Sequence, residues 1–413
     1  MRFAVGCVLL LLLSACSHPD RRTSVLWTDS PEIAGAVERF NSQQQAWHLL
    51  LEYHSDLPGD FNSSVSGQTV SPDLLIGRSL DVASVRSHMR APDFIFDHGE
   101  VARDSFYRDL LETSASESLR LLPLCFDLPI LVYSTEQLPD LEPLSLKVER
   151  VRSLSAKFQA SVRAKGFQLA FSPLWGRFAL DLVNARGSNF TEDYRGQLTW
   201  DDAGLQTGLS ELSDWTSQEA QGWKAQSEFT SKYLSTSAMP LLRQGVILFY
   251  PSTLSEFLTS PFDERRGLDF RYLEVDGKIT ATDSVLWAGT PLASASPDAA
   301  EQFLIDYLSP AHQKILAQWT LKNEFRPFGL GGGLSSVVET NSYLTTLYPL
   351  LAHRLPPESQ LRFWKSLPSD WTRVRDQVVV PWLARGPQVG KPQDLLNAVT
   401  NFGKPSAAGS KTP

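Results

Sequence analysis

Cysteine is scarce: the 413 residues hold three, Cys7, Cys16 and Cys125. Long apolar runs are missing beyond the first residues, and none approaches the roughly 18 residues that a transmembrane helix needs. Catalytic signatures are absent too. There is no G-x-S-x-G elbow, H-E-x-x-H pair, Walker sequence or cysteine pair at metal spacing, so the chain is read as a non-enzyme. The seven histidines are scattered, and Asp97-His98-Gly99-Glu100 reads as a solvated turn before a metal site; neither metal nor cofactor is expected. Lys and Arg number 38 against 46 acids, a net charge of −8 without a basic cluster, which argues against a nucleic-acid partner. No internal repeat is found.

The N-terminus is different. Residues 1–16, MRFAVGCVLLLLLSAC, carry one charge at Arg2, a short apolar run and small residues before Cys16, the pattern of a secretion signal. Its ending resembles a bacterial lipoprotein box, which implies lipid on Cys16 and a membrane-anchored, extracytoplasmic protein of the periplasm or cell surface. Residues 17–23, SHPDRRT, read as a tether. Cys7 leaves with the signal, so Cys125 is the one thiol left free and no intramolecular disulfide is available. A core drawn from 42% hydrophobic residues must hold the body together.

Short apolar runs alternate with helical patterns, the signature of an α/β fold. Strands are predicted at Val25–Trp27, Asp73–Gly77, Asp93–Phe96, Gln168–Phe171, Gly245–Tyr250, Phe270–Val275 and Ser284–Ala288. Ser30-Pro31-Glu32, Ser296-Pro297-Asp298 and Ser309-Pro310 each open a helix. Asp276-Gly277 marks a turn, Gly329–Gly333 a flexible joint, and residues 403–413 a disordered tail. The stretch Arg120–Ser134, RLLPLCFDLPILVYS, reads as buried strand yet contains Asp127. A carboxylate among apolar neighbours is either a satisfied core acid or the floor of a site.

Aromatic surface is plentiful, with 11 Trp and 10 Tyr. Trp stacks on apolar faces while its N–H donates, which suits a ligand with hydroxyl edges. Ordinary packing accounts for any one of them, and only their arrangement can separate the two.

Several blocks, in order, resemble the extracellular solute-binding proteins of ABC importers, in particular the sugar-binding branch. The most specific is Val285-Leu-Trp-Ala-Gly-Thr-Pro-Leu-Ala-Ser-Ala-Ser-Pro-Asp-Ala-Ala-Glu-Gln-Phe-Leu-Ile-Asp-Tyr-Leu-Ser-Pro-Ala-His-Gln313. Leu26-Trp-Thr-Asp29, Ser71-Pro-Asp-Leu-Leu-Ile76, the Arg120–Ser134 stretch and Trp200–Leu209 supply the others. The resemblance implies a two-lobed, type II binding-protein fold with a ligand cleft between lobes joined by hinge crossings. Residues 24–130 and 281–325 would form the first lobe, and 131–280 and 326–402 the second.

Position by position, it implies ligand contacts from Trp27, Asp29, Arg78, Ser79, Asp127, Ser172, Trp175, Tyr250, Trp287 and Trp371. Ser172 stands where an acid is usual, and Tyr250-Pro-Ser-Thr-Leu254 replaces a usual Gly-Pro-Trp; both departures put maltose-type specificity in doubt. The implied function is a monomeric lipoprotein that captures a small polar solute, a carbohydrate, for an ABC permease, touching the membrane through its lipid alone. A surface lipoprotein that keeps the fold as adhesin or sensor partner is the alternative, and a hydrolase with an unrecognised site is a third reading.

Overall fold

The alternation of short apolar runs with amphipathic helices builds a mixed α/β fold, as its pattern predicts. The computed structural model describes residues 22–402 except 68–69, 98, 114–118, 163–167, 194–196, 220–221, 324–326, 366, 369 and 386–390. The segments expected to be signal (1–16, with Cys16), most of the expected tether and the expected tail, and also His98, lie outside the described residues. Among those described, no helix is long and apolar enough to cross a membrane.

The strands run β1 Arg22–Thr28, β2 Trp47–Tyr53, β3 Leu74–Gly77, β4 Leu122–Phe126, β5 Pro129–Ser134, β6 Ser145–Lys147 and β7 Thr191–Glu192. They continue with β8 Leu198–Thr199, β9 Phe249–Thr253, β10 Leu268–Glu274, β11 Ile279–Thr280, β12 Leu286–Gly289, β13 Leu334–Ser335 and β14 Leu361–Arg362. Six form one mixed sheet in the order β13-β4-β12-β3-β1-β2, and four form another, β6-β10-β5-β9. In the larger sheet β1 runs parallel to β2 and β3, and β12 lies antiparallel between β3 and β4. In the smaller, β5 is antiparallel to both β9 and β10. Strands β3, β4 and β5 are buried throughout, which explains their continuous apolar sequence.

The chain passes from one sheet to the other twice at close range. It leaves β4 at Phe126 and enters β5 at Pro129, with Asp127 between, and it returns through residues 281–285 to β12. The larger sheet is therefore split in sequence, β1–β4 before and β12–β13 after, and the smaller sheet lies within one insertion between them.

Helix starts follow local chemistry. Asp201 caps the helix Asp202–Asp214 by accepting from the Gly204 amide at 2.7 Å, and Thr253 with Glu256 forms a capping box on Leu254–Thr259. The helix Asp298–Leu308 buries Phe303, Leu304, Tyr307 and Leu308 beside β1. Ser30 makes no side-chain cap; its hydroxyl donates to Asp29 at 3.0 Å. The Asp276-Gly277 turn is present, both residues having positive φ.

Five expectations change: the strand predicted at Gly245–Tyr250 is shifted to Phe249–Thr253, because Gly245 turns the chain at positive φ and the Val246 amide bonds back to Leu241. Asp93–Asp97 is a helix, not a strand, because Pro92 supplies the first acceptor, for the Ile95 amide, and Asp93 sits in the first turn. Gln168–Phe171 is no ladder strand, although Leu169 and Ala170 exchange backbone bonds with Val246, Leu248 and Phe249. Residues 334–347 belong with the larger sheet although the boundary at 326 put them in the second lobe: Leu334 pairs with Phe126, Ser335 with Cys125, and the helix Val338–Leu347 packs on Pro310–Lys322. Lastly, Gly329–Gly333 is a close-packed turn. Gly329, Gly331 and Gly332 all have positive φ, and a Cβ on Gly329 would collide with the Gly333 carbonyl.

Candidate functional site

The carboxyl ends of β1 and β3 bring Asp29, Arg78 and Ser79 together. Asp29 accepts from the Arg78 amide at 3.0 Å and from the Ser79 hydroxyl at 2.8 Å. Gly77 is required beneath them, since a Cβ there would lie 2.9 Å from the Asp29 carboxylate and closer still to Leu57. The Arg78 guanidinium reaches away to the carbonyls of Ser284 at 2.7 Å and Gly331 at 2.8 Å. It thereby ties the return crossing to the glycine turn. Asp29, Arg78 and Ser79 all keep partial exposure.

Asp127, on the outgoing crossing, is a satisfied core acid. It is 5% exposed, and Oδ1 accepts from the backbone amides of Leu128 at 2.9 Å and Ser255 at 3.1 Å, while Oδ2 accepts from the Ser255 hydroxyl. The carboxylate thus sits on the first turn of the helix Leu254–Thr259. Burial raises its pKa, and hydrogen bonds from Ser255, Thr253 and Leu128 pull it part of the way back. A ligand hydroxyl, the partner expected for it, would have to compete with these local donors at a carboxylate that is almost wholly buried. Cys125 beside it is a buried free thiol, pushed up to about 12 first by burial.

Ser172, Trp175 and Tyr250 gather beside the smaller sheet. The Ser172 hydroxyl is fully buried and donates to Gln226, and the Trp175 indole donates to Thr230 at 2.8 Å. Trp175 is 3% exposed, with Tyr250 6.0 Å away and Phe229 5.9 Å away between ring centroids. Trp175 is therefore core, and the half-buried Tyr250 is the ring of this pair with an open edge.

The other tryptophans are also committed. Trp27 stacks on His54 with centroids 4.0 Å apart and donates to Glu52 at 2.7 Å. Trp287 is buried in β12 opposite Gly77 and Pro123. Trp371 is 4% exposed, tilted against Phe190 and Trp364, and donates to Asp283 at 2.5 Å. Trp175 and Trp371, expected to stack on ligand, and Trp27 and Trp287, expected to contact it, are thus packing rings, and the N–H groups of Trp27, Trp175 and Trp371 already have acceptors.

Asp283 is the feature the sequence did not flag. It lies on the return crossing with its side chain fully buried, and takes Arg177 on one oxygen and Arg375, at 3.0 Å, with Trp371 on the other. Burial pushes its pKa up, but the two guanidinium groups outweigh that and hold it below the usual carboxylate range. Nearby Asp181 has no such hydrogen bonds and is pushed up to about 7, by burial first and by Asp283, with Arg177 and Arg375 pulling back. A lone acid in Ala281-Thr-Asp-Ser-Val285 was the one available signal.

The crossing 281–285 is consequently clamped from both sides: Arg78 holds Ser284, Arg177 and Arg375 hold Asp283, the Asp127 carbonyl accepts from the Thr282 amide at 2.9 Å, and the Trp364 indole donates to the Ala281 carbonyl at 2.8 Å. Such an arrangement can fix the relative placement of two sheets and bind polar groups at its margin. Among the described residues no cluster of three or more metal-ligating side chains occurs. No protein-family model matches this chain, and no curated protein matches it in sequence.

Proposed function

We propose that the chain is an extracytoplasmic solute-binding protein, anchored through lipid on Cys16, that captures a small polar solute, a carbohydrate, between two α/β lobes for an ABC permease. The observation carrying this reading is the insertion of the smaller sheet into the larger through two adjacent crossings, at Asp127 and 281–285. A chain that crosses twice at one junction suits a hinge, and hinged pairs of lobes close on ligand. Asp29, Arg78, Ser79 and Tyr250 are the four predicted contact residues with partial exposure, and they are assigned the solute. The permease would read the closed form, whose population the solute raises. No bond is made or broken in this scheme.

A second reading, a surface lipoprotein with the same fold and no transported solute, is favoured by one observation: Asp127, Ser172, Trp175 and Trp371 already satisfy one another or their neighbours. Calorimetry of the folded chain against a panel of neutral sugars separates the two. Binding of one sugar, weakened about tenfold or more by Tyr250→Ala and by Ser79→Ala, supports capture, a tenfold loss being one hydrogen bond or ring contact. Silence with every sugar favours the second reading, and glycoside turnover abolished at a single carboxylate would overturn both.

A further inference from the structure

A separate cavity of about 250 Å³ opens where the helix Phe178–Ala185 ends, and it is lined by Asn184, Asn189, Phe190, Arg362, Trp364 and Lys365 among others. Its volume falls below the ~300–1,000 Å³ typical of sites for drug-sized ligands, which suits a monosaccharide or smaller. None of the four residues assigned the solute, nor the other six the resemblance implied, lines it.

The lining chemistry has one sign. Arg362 and Lys365 are its two charged residues, and no carboxylate lines the cavity, in a chain whose net charge is −8. Arg362 uses one N–H on the Ala185 carbonyl at 2.8 Å, and among the described residues neither cation forms an ion pair. Asn184 is 7% exposed, yet its amide makes no hydrogen bond among the described residues. That amide lines the same cavity as the two cations and is free to bond a group held there. Asn189, held at positive φ with its Nδ2 on the Gly187 carbonyl, also lines the cavity. Phe190 and Trp364 supply apolar walls, and Trp364 is fixed by its bond to the Ala281 carbonyl.

We propose that this cavity is a second binding site, for a small solute bearing an oxyanion on a sugar-sized frame. The anion pairs with Arg362 and Lys365, a hydroxyl meets the Asn184 amide, and the ring lies against the two aromatic walls. The site is distinct from the one at Asp29 and Tyr250 and stands or falls without it.

Glucuronate, glucose 6-phosphate, inorganic phosphate and glucose serve as calorimetric probes of the full chain, the two acidic sugars distinguishing carboxylate from phosphate as the preferred group. At least one acidic sugar is expected to bind about tenfold or more tightly than glucose, more weakly in high salt. Lys365→Gln, a surface change that leaves the melting curve in place, and Asn184→Ala should each lower that affinity about tenfold, whereas Tyr250→Ala should not. Binding of glucose as tight as that of the acidic sugars, unchanged affinity in both cavity variants, loss in Tyr250→Ala alone, tight binding of inorganic phosphate alone, or no binding of any probe each overturns the proposal.

Discussion

Asp127 and Asp283 sit on the two crossings, both buried, and their carboxyl groups respond in opposite directions. At Asp127 the donors are hydroxyl and amide groups, which offset burial in part; at Asp283 two guanidinium groups outweigh it. The consequences for substitution differ accordingly. Asp283→Asn takes the carboxylate from the partly exposed Arg177 and leaves Arg375 with Asp376 as its remaining ion pair, an expected loss of about 1–3 kcal/mol. Urea denaturation should register it as a fall in midpoint, and a loss under about 1 kcal/mol would show that the cluster is not holding the crossing. Because its pKa is depressed, the stability Asp283 contributes is present above the usual carboxylate range and is lost as pH falls through the lower folded value. Asp127→Ala strands the Ser255 and Leu128 amides and the Ser255 hydroxyl, with an expected loss of about 1–3 kcal/mol. The same denaturation experiment reads it, and unchanged stability with weakened sugar binding would return Asp127 to the ligand.

The glycine turn shows how an element can be misjudged from composition. Five residues of Gly329-Leu-Gly-Gly-Gly333 suggest freedom, yet the backbone is folded against itself and against Arg78, with left-handed φ at three positions. Gly329→Ala adds a Cβ against the Gly333 carbonyl at positive φ, and a loss of at least about 1 kcal/mol is expected in thermal or chemical denaturation; an unaffected midpoint would mean the turn relaxes freely. Elements with local signals were readable in advance: the Asp276-Gly277 turn, the proline-opened helices near 31, 298 and 310, and the buried runs of β3, β4 and β5. Those set by distant partners were not. Nothing near Leu334 announces that it pairs with Phe126, and Pro92 turns an apolar Asp93–Asp97 run into a helix that strand-like composition disguises. The site is of the second kind. Asp29 and Arg78-Ser79 were named through a resemblance alone, and their contact comes from two strand ends meeting in one sheet; Asp283 takes its meaning from Arg177 and Arg375, 106 and 92 residues away.

At the scale of the molecule, the charged cluster on the return crossing should make stability depend on pH through Asp181. Its neighbours are Arg177, Asp283 and Arg375; Asp283 already takes a guanidinium hydrogen bond from each arginine, so Asp181 is left with burial, opposed by weaker attraction. Its carboxyl is pushed up to about 7, against an ordinary value near 4 in the unfolded chain. The folded state therefore holds a proton that the unfolded state has released, and stability declines as pH rises from about 4 to about 7, then levels off once both states are ionised. The effect is on the order of 2–4 kcal/mol across that window. Asp181→Asn removes the titration, so the variant should match the natural chain at about pH 4 and exceed it increasingly up to about pH 7, with a constant advantage above. Chemical denaturation of both chains at a series of pH values supplies the measurement. Parallel curves would show that Asp181 is ionised throughout and that the cluster carries its charge at no cost. A gap that opens over this window would locate a proton on the helix Phe178–Ala185 beside the return crossing, where the neutral and ionised forms of Asp181 differ in how firmly they attract Arg177.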